Sequence, residues 1–230
     1  IDPKTYNLSV TSLEKKLVQA KKVNKLPKVL VLVHFAGQSC EMEKVLLLSK
    51  KFGFRIIEDA SHAIGGRYLN SKIGSCKYSD ITIFSFHPVK IITTAEGGSA
   101  LTNNKELADR MELLRSHGIT REKKLMNLPD NEDWYYEQIS LGFNYRMSDI
   151  HAALGISQIQ RIESFINNSY QKGADKLIIV TGKGLHSKNE SDPFVSKKLS
   201  ILKYSIPEYI SNNKDIMKKI NEIKDADIKD

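Results

Sequence analysis

Residues 28–59, KVLVLVHFAGQSCEMEKVLLLSKKFGFRIIED, contain the pattern that decides the fold. They begin with an apolar run rich in Val and Leu, residues 28–35, which predicts a buried strand. Residues 41–52 indicate a helix, and residues 54–58 form a second short apolar strand that ends on Asp59. A strand, a helix and another strand in this order predict a parallel βαβ unit.

The same alternation continues on both sides of this unit. Further strands are predicted at residues 80–86 and 98–102, and further helices at residues 8–22, 105–116 and 148–166, with Ser12 and Ser148 near the starts of the first and the last helix. We therefore expect an α/β fold with a mostly parallel sheet that helices cover on both faces. In such a sheet the functional residues lie at the carboxyl ends of the strands.

The composition excludes several classes of protein. With 40% apolar and 27% charged residues, the chain has the balance of a globular protein. No apolar run approaches the roughly 20 residues of a membrane span, and residues 1–10 lack the apolar centre of a secretory signal. Two isolated cysteines favour a reducing compartment, so we expect a cytoplasmic protein without membrane contact. The six histidines show no metal-ligand spacing, and no metal site is expected.

The net charge of +8 leaves two interpretations open, because the basic residues are spread along the chain. Solvated, Lys-rich helix faces explain it without any partner. Weak attraction to nucleic acid or to anionic nucleotide-sugars explains it as well.

Three short segments at predicted strand ends contain reactive side chains: EDASHA at 58–63, SFHPVK at 85–90 and TTAEGG at 93–98. Together they bring an acid, Asp59, a hydroxyl, Ser85, an amine, Lys90, and a glycine turn toward one edge of the sheet. Each residue alone has a simpler interpretation, since Asp59 could cap the segment that follows it and Lys90 could be a surface lysine.

The set as a whole has the chemistry that a pyridoxal phosphate (PLP) site requires. A lysine that desolvation can make neutral forms an imine with the cofactor aldehyde. A carboxylate beside the pyridine nitrogen keeps the ring protonated, which makes the ring an electron sink. A hydroxyl near the phosphate supplies a neutral hydrogen-bond donor.

At this point residues 1–168 resemble the DegT/StrS family of fold-type-I sugar aminotransferases. The matching segments are Asp2-Pro3, VHFAG at 33–37, EDASHA at 58–63, SFHPVKIITTAEGG at 85–98, RSHG at 115–118, GFNYRMSD at 142–149 and HAALG at 151–155. The segments SFHPVK and TTAEGG are most similar to one branch of this family, the UDP-4-amino-4,6-dideoxy-N-acetyl-altrosamine transaminases. This branch aminates a UDP-linked 4-keto-6-deoxy-N-acetylhexosamine on the way to pseudaminic acid.

The resemblance implies a role for each of five residues. Lys90 would bind PLP covalently and then move the proton, and Asp59 would pair with the pyridinium nitrogen. His62 would lie near the phenolic oxygen and Ser85 near the phosphate. Asn144 would reach the phosphate bound by a neighbouring subunit, which implies a homodimer. The amino donor would be glutamate, and the acceptor a UDP-linked keto-sugar.

Three further residues near these motifs keep alternative interpretations. Tyr145 and Arg146 either contact substrate directly or only shape their loop. His87 is interpreted as a packed loop residue rather than as a catalytic group.

The resemblance also implies segments outside residues 1–230. Complete family members have a longer N-terminal part, with a small-residue turn that binds the PLP phosphate and an aromatic residue that stacks on the ring, and they have a C-terminal small domain. We therefore expect an incomplete aminotransferase large domain, truncated at its N-terminus, over residues 1–168, followed by a joint at 169–173.

Residues 174–230 resemble part of a different family, the small MutS-related (Smr) domain. The matching run is LIIVTGKGLHS at 177–187, in which Thr181 takes the place of the usual histidine. Residues 181–187 could contact a nucleic-acid phosphate through the Gly pair and Lys183, or could simply be a strand-end turn. The alternative functions are therefore an Smr-type nucleic-acid-binding protein and an inactive gene-fusion remnant.

Overall fold

The computed structural model describes residues 1–128, 132 and 134–172. The helices are α1 Val10–Lys22, α2 Met42–Phe52, α3 Lys105–Arg115 and α4 Asp149–Gln171, with short 3-10 helices at Phe35–Gly37 and Lys123–Leu125. The strands are β1 Val29–Val33, β2 Arg55–Asp59, β3 Arg67–Tyr68, β4 Ser71–Lys72, β5 Ile81–Ser85, β6 Gly98–Leu101, β7 Ile119–Thr120 and β8 Glu137–Gln138.

Four strands form the main sheet in the order β1-β2-β5-β6. The pairs β1/β2 and β2/β5 are parallel, and β5/β6 is antiparallel. The predicted βαβ unit is therefore confirmed as β1-α2-β2, and the α/β fold with a mostly parallel sheet is confirmed as well. Two smaller antiparallel pairs, β3/β4 and β7/β8, lie outside this sheet.

Polar side chains cap three of the helices and define where they begin. The Oγ of Ser148 accepts a hydrogen bond from the N–H of His151, which confirms Ser148 at the start of α4. The Oδ1 of Asn104 caps α3 in the same way. At α1 the cap is Ser9, and Ser12 supplies the N–H that it accepts. Ser12 is therefore the third residue of the helix rather than its cap.

The core lies between one face of the sheet and the helices α1 and α2. Leu32 and Ile56 of the sheet pack there with Leu17 of α1 and Val45 of α2, and each is at most 2% exposed. This burial supplies most of the favourable free energy of folding for this part of the chain.

The opposite face of the sheet differs from the expectation. Val31 is 58% exposed, and Val33 and Ile83 are also exposed. Among the residues that the structure describes, helices therefore bury only one face of the sheet fully. The sequence pattern of a strand indicates which side chains share a face, but it does not specify which segment covers that face.

The end of the described chain bears on the predicted division into two parts. Helix α4 continues to Gln171, through residues that we expected to form the joint at 169–173. Residues 173–230 lie outside the described part, so the joint and the Smr-like segment stay predictions. None of the helices in the described ranges combines the length and the apolar character needed to cross a membrane.

Candidate active site

The carboxyl ends of β1, β2 and β5 meet at one edge of the sheet. Val33 pairs with Asp59, and Asp59 pairs with Ile83, so the three strands end side by side. The segments that leave these ends contain His34, His62 and Lys90. This edge is where the sequence predicted the functional residues.

Asp59 is the last residue of β2 and is half-buried. Its Oδ1 accepts a hydrogen bond from the N–H of Ser61 at 3.1 Å, so the carboxylate does cap the segment that follows it. Its main-chain oxygen accepts from the N–H of His34 at 3.0 Å. No described residue donates a hydrogen bond to Oδ2, which leaves that oxygen available to a ligand.

Lys90 lies in the connection between β5 and β6, and its side chain is half-buried. Its N–H donates to the main-chain oxygen of His87 at 2.9 Å, which closes a tight turn around Pro88. Ser85, the last residue of β5, is also half-buried, and its Oγ is 3.5 Å from the N–H of His87. The strand end therefore brings Ser85 and Lys90 into one short loop.

Hydrogen bonds fix both ends of this loop. The N–H of Phe86 donates to the main-chain oxygen of Gly97 at 2.9 Å, and the N–H of buried Thr94 donates to the oxygen of Phe86 at 3.0 Å. At Gly98 the chain passes so close to β5 that a Cβ would lie 2.8 Å from the main-chain oxygen of Phe84. The glycines of TTAEGG therefore allow the close approach that holds the loop of Lys90 in place.

His62 follows β2 and is half-buried. Its Nδ1 is buried and has no hydrogen-bond partner among the residues that the structure describes. Burial lowers the pKa of His62, the positive charge of Lys90 lowers it further, and the negative charge of Asp59 raises it, with a net lowering. His62 therefore lies within the electrostatic reach of both charged groups, and the lowered pKa favours its neutral form.

Asn144 lies in a different segment from the other four predicted site residues, the connection between β8 and α4. It is exposed, and it forms an isolated antiparallel bridge with Ser116 next to the end of α3. Tyr145 and Arg146 are exposed in the same loop, and the ring of Tyr145 stacks on Phe143 with centroids 4.8 Å apart. The structure thus brings together Asp59, His62, Ser85 and Lys90, and leaves Asn144 on the surface.

His87 is exposed rather than packed in the protein interior. Its Nδ1 is 3.4 Å from the N–H of Val89, within the turn that precedes Lys90. This contact agrees with a role in shaping the loop.

A buried hydrogen-bonded pair lies directly behind this edge, and the sequence analysis did not identify it. The Nε2 of His34 is 2.7 Å from Oε2 of Glu58, and the two residues are 0% and 4% exposed. Glu58 also accepts hydrogen bonds from Ser79 and Thr82. Consecutive residues of a strand point to opposite faces, so Asp59 at the site implies that Glu58 points into the core, and this signal was present in the sequence.

The chain matches a known family and several known proteins. The model of the DegT/DnrJ/EryC1/StrS aminotransferase family matches residues 1–219, which includes most of the segment that we predicted to resemble an Smr domain. A UDP-4-amino-4,6-dideoxy-N-acetyl-beta-L-altrosamine transaminase of Campylobacter jejuni is 45% identical over 150 residues, which is 63% of this chain and 37% of that protein. The chain thus spans about two fifths of the length of the curated relatives that it matches.

Solved structures agree with this match. Helicobacter pylori PseC, an aminotransferase involved in the biosynthesis of pseudoaminic acid, superposes with a TM-score of 0.57 at 35% identity, over 72% of this chain and 42% of that chain. The PLP-form of Spr1654 from Streptococcus pneumoniae superposes with a TM-score of 0.54 at 27% identity, over 75% of this chain and 46% of that chain. The chain therefore belongs to the DegT/DnrJ/EryC1/StrS aminotransferase family, whose members depend on PLP.

Proposed function

We propose that this chain binds PLP through Lys90 and contributes to the transamination of a nucleotide-linked 4-keto-6-deoxy sugar, with glutamate as the amino donor. The observation that carries the proposal is the meeting of Asp59, His62 and Lys90 at the edge where β2 and β5 end. An acid, a neutral imidazole and an amine in one half-buried place form a set that a surface without function rarely has.

One further observation supports the fit of these residues to PLP. The Nδ1 of His62 is buried, and no residue in the described part of the chain forms a hydrogen bond with it. A buried polar atom without a hydrogen bond costs free energy, and such atoms in native proteins call for a partner. The phenolic oxygen of the cofactor would satisfy it, because a neutral imidazole can donate from one ring nitrogen and accept at the other.

PLP, when bound, supplies an aldehyde that takes up amines and a ring that withdraws electrons from the substrate carbon. Asp59 would hold a proton at the pyridine nitrogen through its Oδ2, while its Oδ1 stays bound to the N–H of Ser61. Lys90 would bond to the aldehyde, and after its release its Nζ would take the proton from the donor carbon and return it. The short, hydrogen-bonded loop would restrict where Nζ can move.

Ser85 and Asn144 would complete the phosphate contacts from two directions. Ser85 would donate from its own chain, since among the described residues its Oγ receives only the long contact from the N–H of His87. Asn144 would donate to the phosphate of a second copy, and its exposure on the surface supports that role. The proposed active form is therefore a homodimer.

The proposed acceptor is a UDP-linked 4-keto-6-deoxy-N-acetylhexosamine. Support comes from the altrosamine transaminase that is 45% identical to this chain. We also propose a cytoplasmic location, because Cys40 and Cys76 are both free thiols and a reducing compartment keeps them so.

The first experiment tests cofactor binding. Purified protein mixed with PLP should gain the visible absorption of lysine-linked PLP, and borohydride should fix the cofactor on the peptide that contains Lys90. Lys90→Ala should lose both signals. Lys105→Ala, which removes an exposed lysine paired with Asp109, should keep them. Absence of the signal in the unchanged chain would refute the proposal.

The second experiment tests the homodimer. Lys90→Ala and Asn144→Ala protein are each expected to be deficient, because each lacks one residue of every site. After mixing and subunit exchange, heterodimers contain one site with both residues intact, so cofactor binding should partly return. No recovery in a mixture that is shown to exchange subunits would contradict a role of Asn144 across an interface.

The third experiment tests the substrate class. Protein loaded with the aminated cofactor should return to the PLP spectrum faster with a UDP-linked than with a GDP-linked 4-keto-6-deoxy sugar. Equal rates would contradict the proposed nucleotide preference and leave the transamination itself supported.

A further inference from the structure

The chain makes a strained turn where it leaves β1. This turn, Phe35–Gly37, contains Ala36 at φ 56°, in the left-handed region that L-residues rarely adopt. A side chain in this conformation costs free energy, and it persists only where surrounding contacts impose it. The contacts that impose it therefore indicate what the turn is for.

Asn7 is the first of these contacts and is 5% exposed. Its Oδ1 accepts from the N–H of Phe35 at 2.9 Å, and its Nδ2 donates to the main-chain oxygen of Gln38 at 2.9 Å. One buried amide therefore bonds the main chain on both sides of Ala36.

His34 is the second contact and is fully buried. The N–H of Cys40 donates to its Nδ1 at 3.2 Å, so Nε2 carries the ring hydrogen and donates to Glu58 at 2.7 Å. The N–H of His34 also donates to the main-chain oxygen of Asp59 at 3.0 Å. His34 thus ties the turn to the core on one side and to the strand end of Asp59 on the other.

The side chain that this turn presents to the site is Phe35. Its ring meets the ring of His62 edge-on, with centroids 6.4 Å apart and planes at 69°. The only other ring contact of Phe35 in the described part of the chain is with Tyr6, at 6.2 Å. Phe35 therefore lies between the buried contacts of the turn and the histidine beside Lys90.

We propose that His34 and Asn7 are positioning residues, which hold the Phe35–Gly37 turn so that the Phe35 ring fixes the ring of His62 beside Lys90 and Asp59. The consequence for chemistry rests on the proposed function, since His62 is the residue expected to contact PLP. The contact itself can be measured without any cofactor.

The experiment follows the ring signal of His62 by NMR across pH in the full chain without PLP, with the signal assigned by its loss in His62→Gln. Phe35→Leu should expose the ring and move the midpoint of its titration upward by about 0.3–1 pH unit, because less burial favours the charged form. Asp59 and Lys90, the charged groups that act on His62, are unchanged in this variant.

His34→Ala and Asn7→Ala should move the midpoint in the same direction, because they act through Phe35. Adding Phe35→Leu to either variant should give no further shift. The three residues act on His62 through one series of contacts, so their effects on the midpoint should not add. Leu17→Ala is the matched control: it removes a core side chain of α1 that is 2% exposed and should lower the melting temperature without moving the midpoint.

A melting temperature that falls in His34→Ala while the His62 midpoint stays at its original value would overturn the proposal and leave a purely structural pair. An unchanged midpoint in Phe35→Leu, which keeps both buried contacts, would overturn it even if His34→Ala does not fold. The PLP release rate gives a second readout, which should rise in Phe35→Leu and not in Leu17→Ala. If the midpoints shift but no variant binds PLP, the proposed function fails and the positioning role stands.

Discussion

The buried hydrogen bond between His34 and Glu58 allows a quantitative prediction about stability. Burial raises the pKa of Glu58, but the hydrogen bonds from His34, Ser79 and Thr82 outweigh it, and the pKa is lowered. His34→Ala leaves a carboxylate that is 4% exposed without its main partner. A buried acceptor without its partner costs about 1–3 kcal/mol, and more when it is charged, so we expect the free energy of unfolding at pH 7 to fall by about 3 kcal/mol or more.

Glu58→Gln is the milder change and separates charge from shape. The amide oxygen can still accept from Nε2 of His34, and its NH₂ can donate to the hydroxyls of Ser79 and Thr82, which can act as acceptors. The expected cost is therefore about 1–3 kcal/mol, the range for a weakened buried hydrogen bond. His34→Ala should be the more destabilising of the two.

The dependence on pH has a definite sign. The pKa of Glu58 is lower in the folded than in the unfolded chain, so its contribution to stability is complete above the unfolded value of about 4.3. It is lost as the pH falls through the folded pKa. The Glu58→Gln variant has no carboxyl group at this position. The difference in free energy of unfolding between the unchanged protein and this variant should therefore shrink as the pH falls below the unfolded pKa.

Urea unfolding followed by far-UV circular dichroism measures these free energies, with Lys105→Ala as a control that breaks an exposed pair with Asp109. The control should unfold at the same urea concentration as the unchanged protein. If His34→Ala unfolded at the same urea concentration as Lys105→Ala, His34 and Glu58 could not have the buried environment described above.

Four further substitutions have expected outcomes. Ser148→Ala removes the cap of α4 and should cost about 1 kcal/mol in urea unfolding; no change would mean that the first turn is held by other contacts. Leu17→Ala should cost about 2–5 kcal/mol through a core cavity, and a cost below about 1 kcal/mol would contradict tight packing there. Gly98→Ala puts a Cβ 2.8 Å from the main-chain oxygen of Phe84 and should weaken PLP binding, whereas Gly53→Ala, with nothing within 4 Å, should lower stability alone.

The sequence predicted which strand ends lie side by side because the relevant signal is local. Asp59 and Ser85 each end an apolar run, and neighbouring parallel strands have their carboxyl ends at the same edge of the sheet. That the two residues lie at the same edge therefore follows from the order of the strands in the sequence. The pKa of His62, to which both Asp59 and Lys90 contribute, agrees with this proximity. The placement of Asn144 relative to a second copy depends on a partner surface, which no pattern within one chain describes.

Features that depend on long-range packing were predicted less well. The open face at Val31 was expected to be covered, because a strand pattern indicates burial without naming the covering segment. The hydrogen bond between His34 and Glu58 joins residues 24 positions apart in the sequence. It was not predicted, because in EDASHA the acid interpreted as functional was Asp59 and not Glu58. The sequence analysis singled out Ser12 near the start of the first helix and not Ser9, which is the cap, because both serines lie near the start of the apolar periodicity.

The loop that holds Lys90 has a further consequence for the order of folding. Its ends, Phe86 and Gly97, are close in sequence, whereas β1 must pair with β2 across the whole of α2, as Val29 does with Arg55. Closing a short loop is fast, and parallel pairing across a crossover is slow. In pulse-labelled hydrogen exchange during refolding, the amides of β5 and β6 should gain protection before those of β1. Lys90 would then lie in its closed loop before β1 joins the sheet and completes the edge at which the site lies.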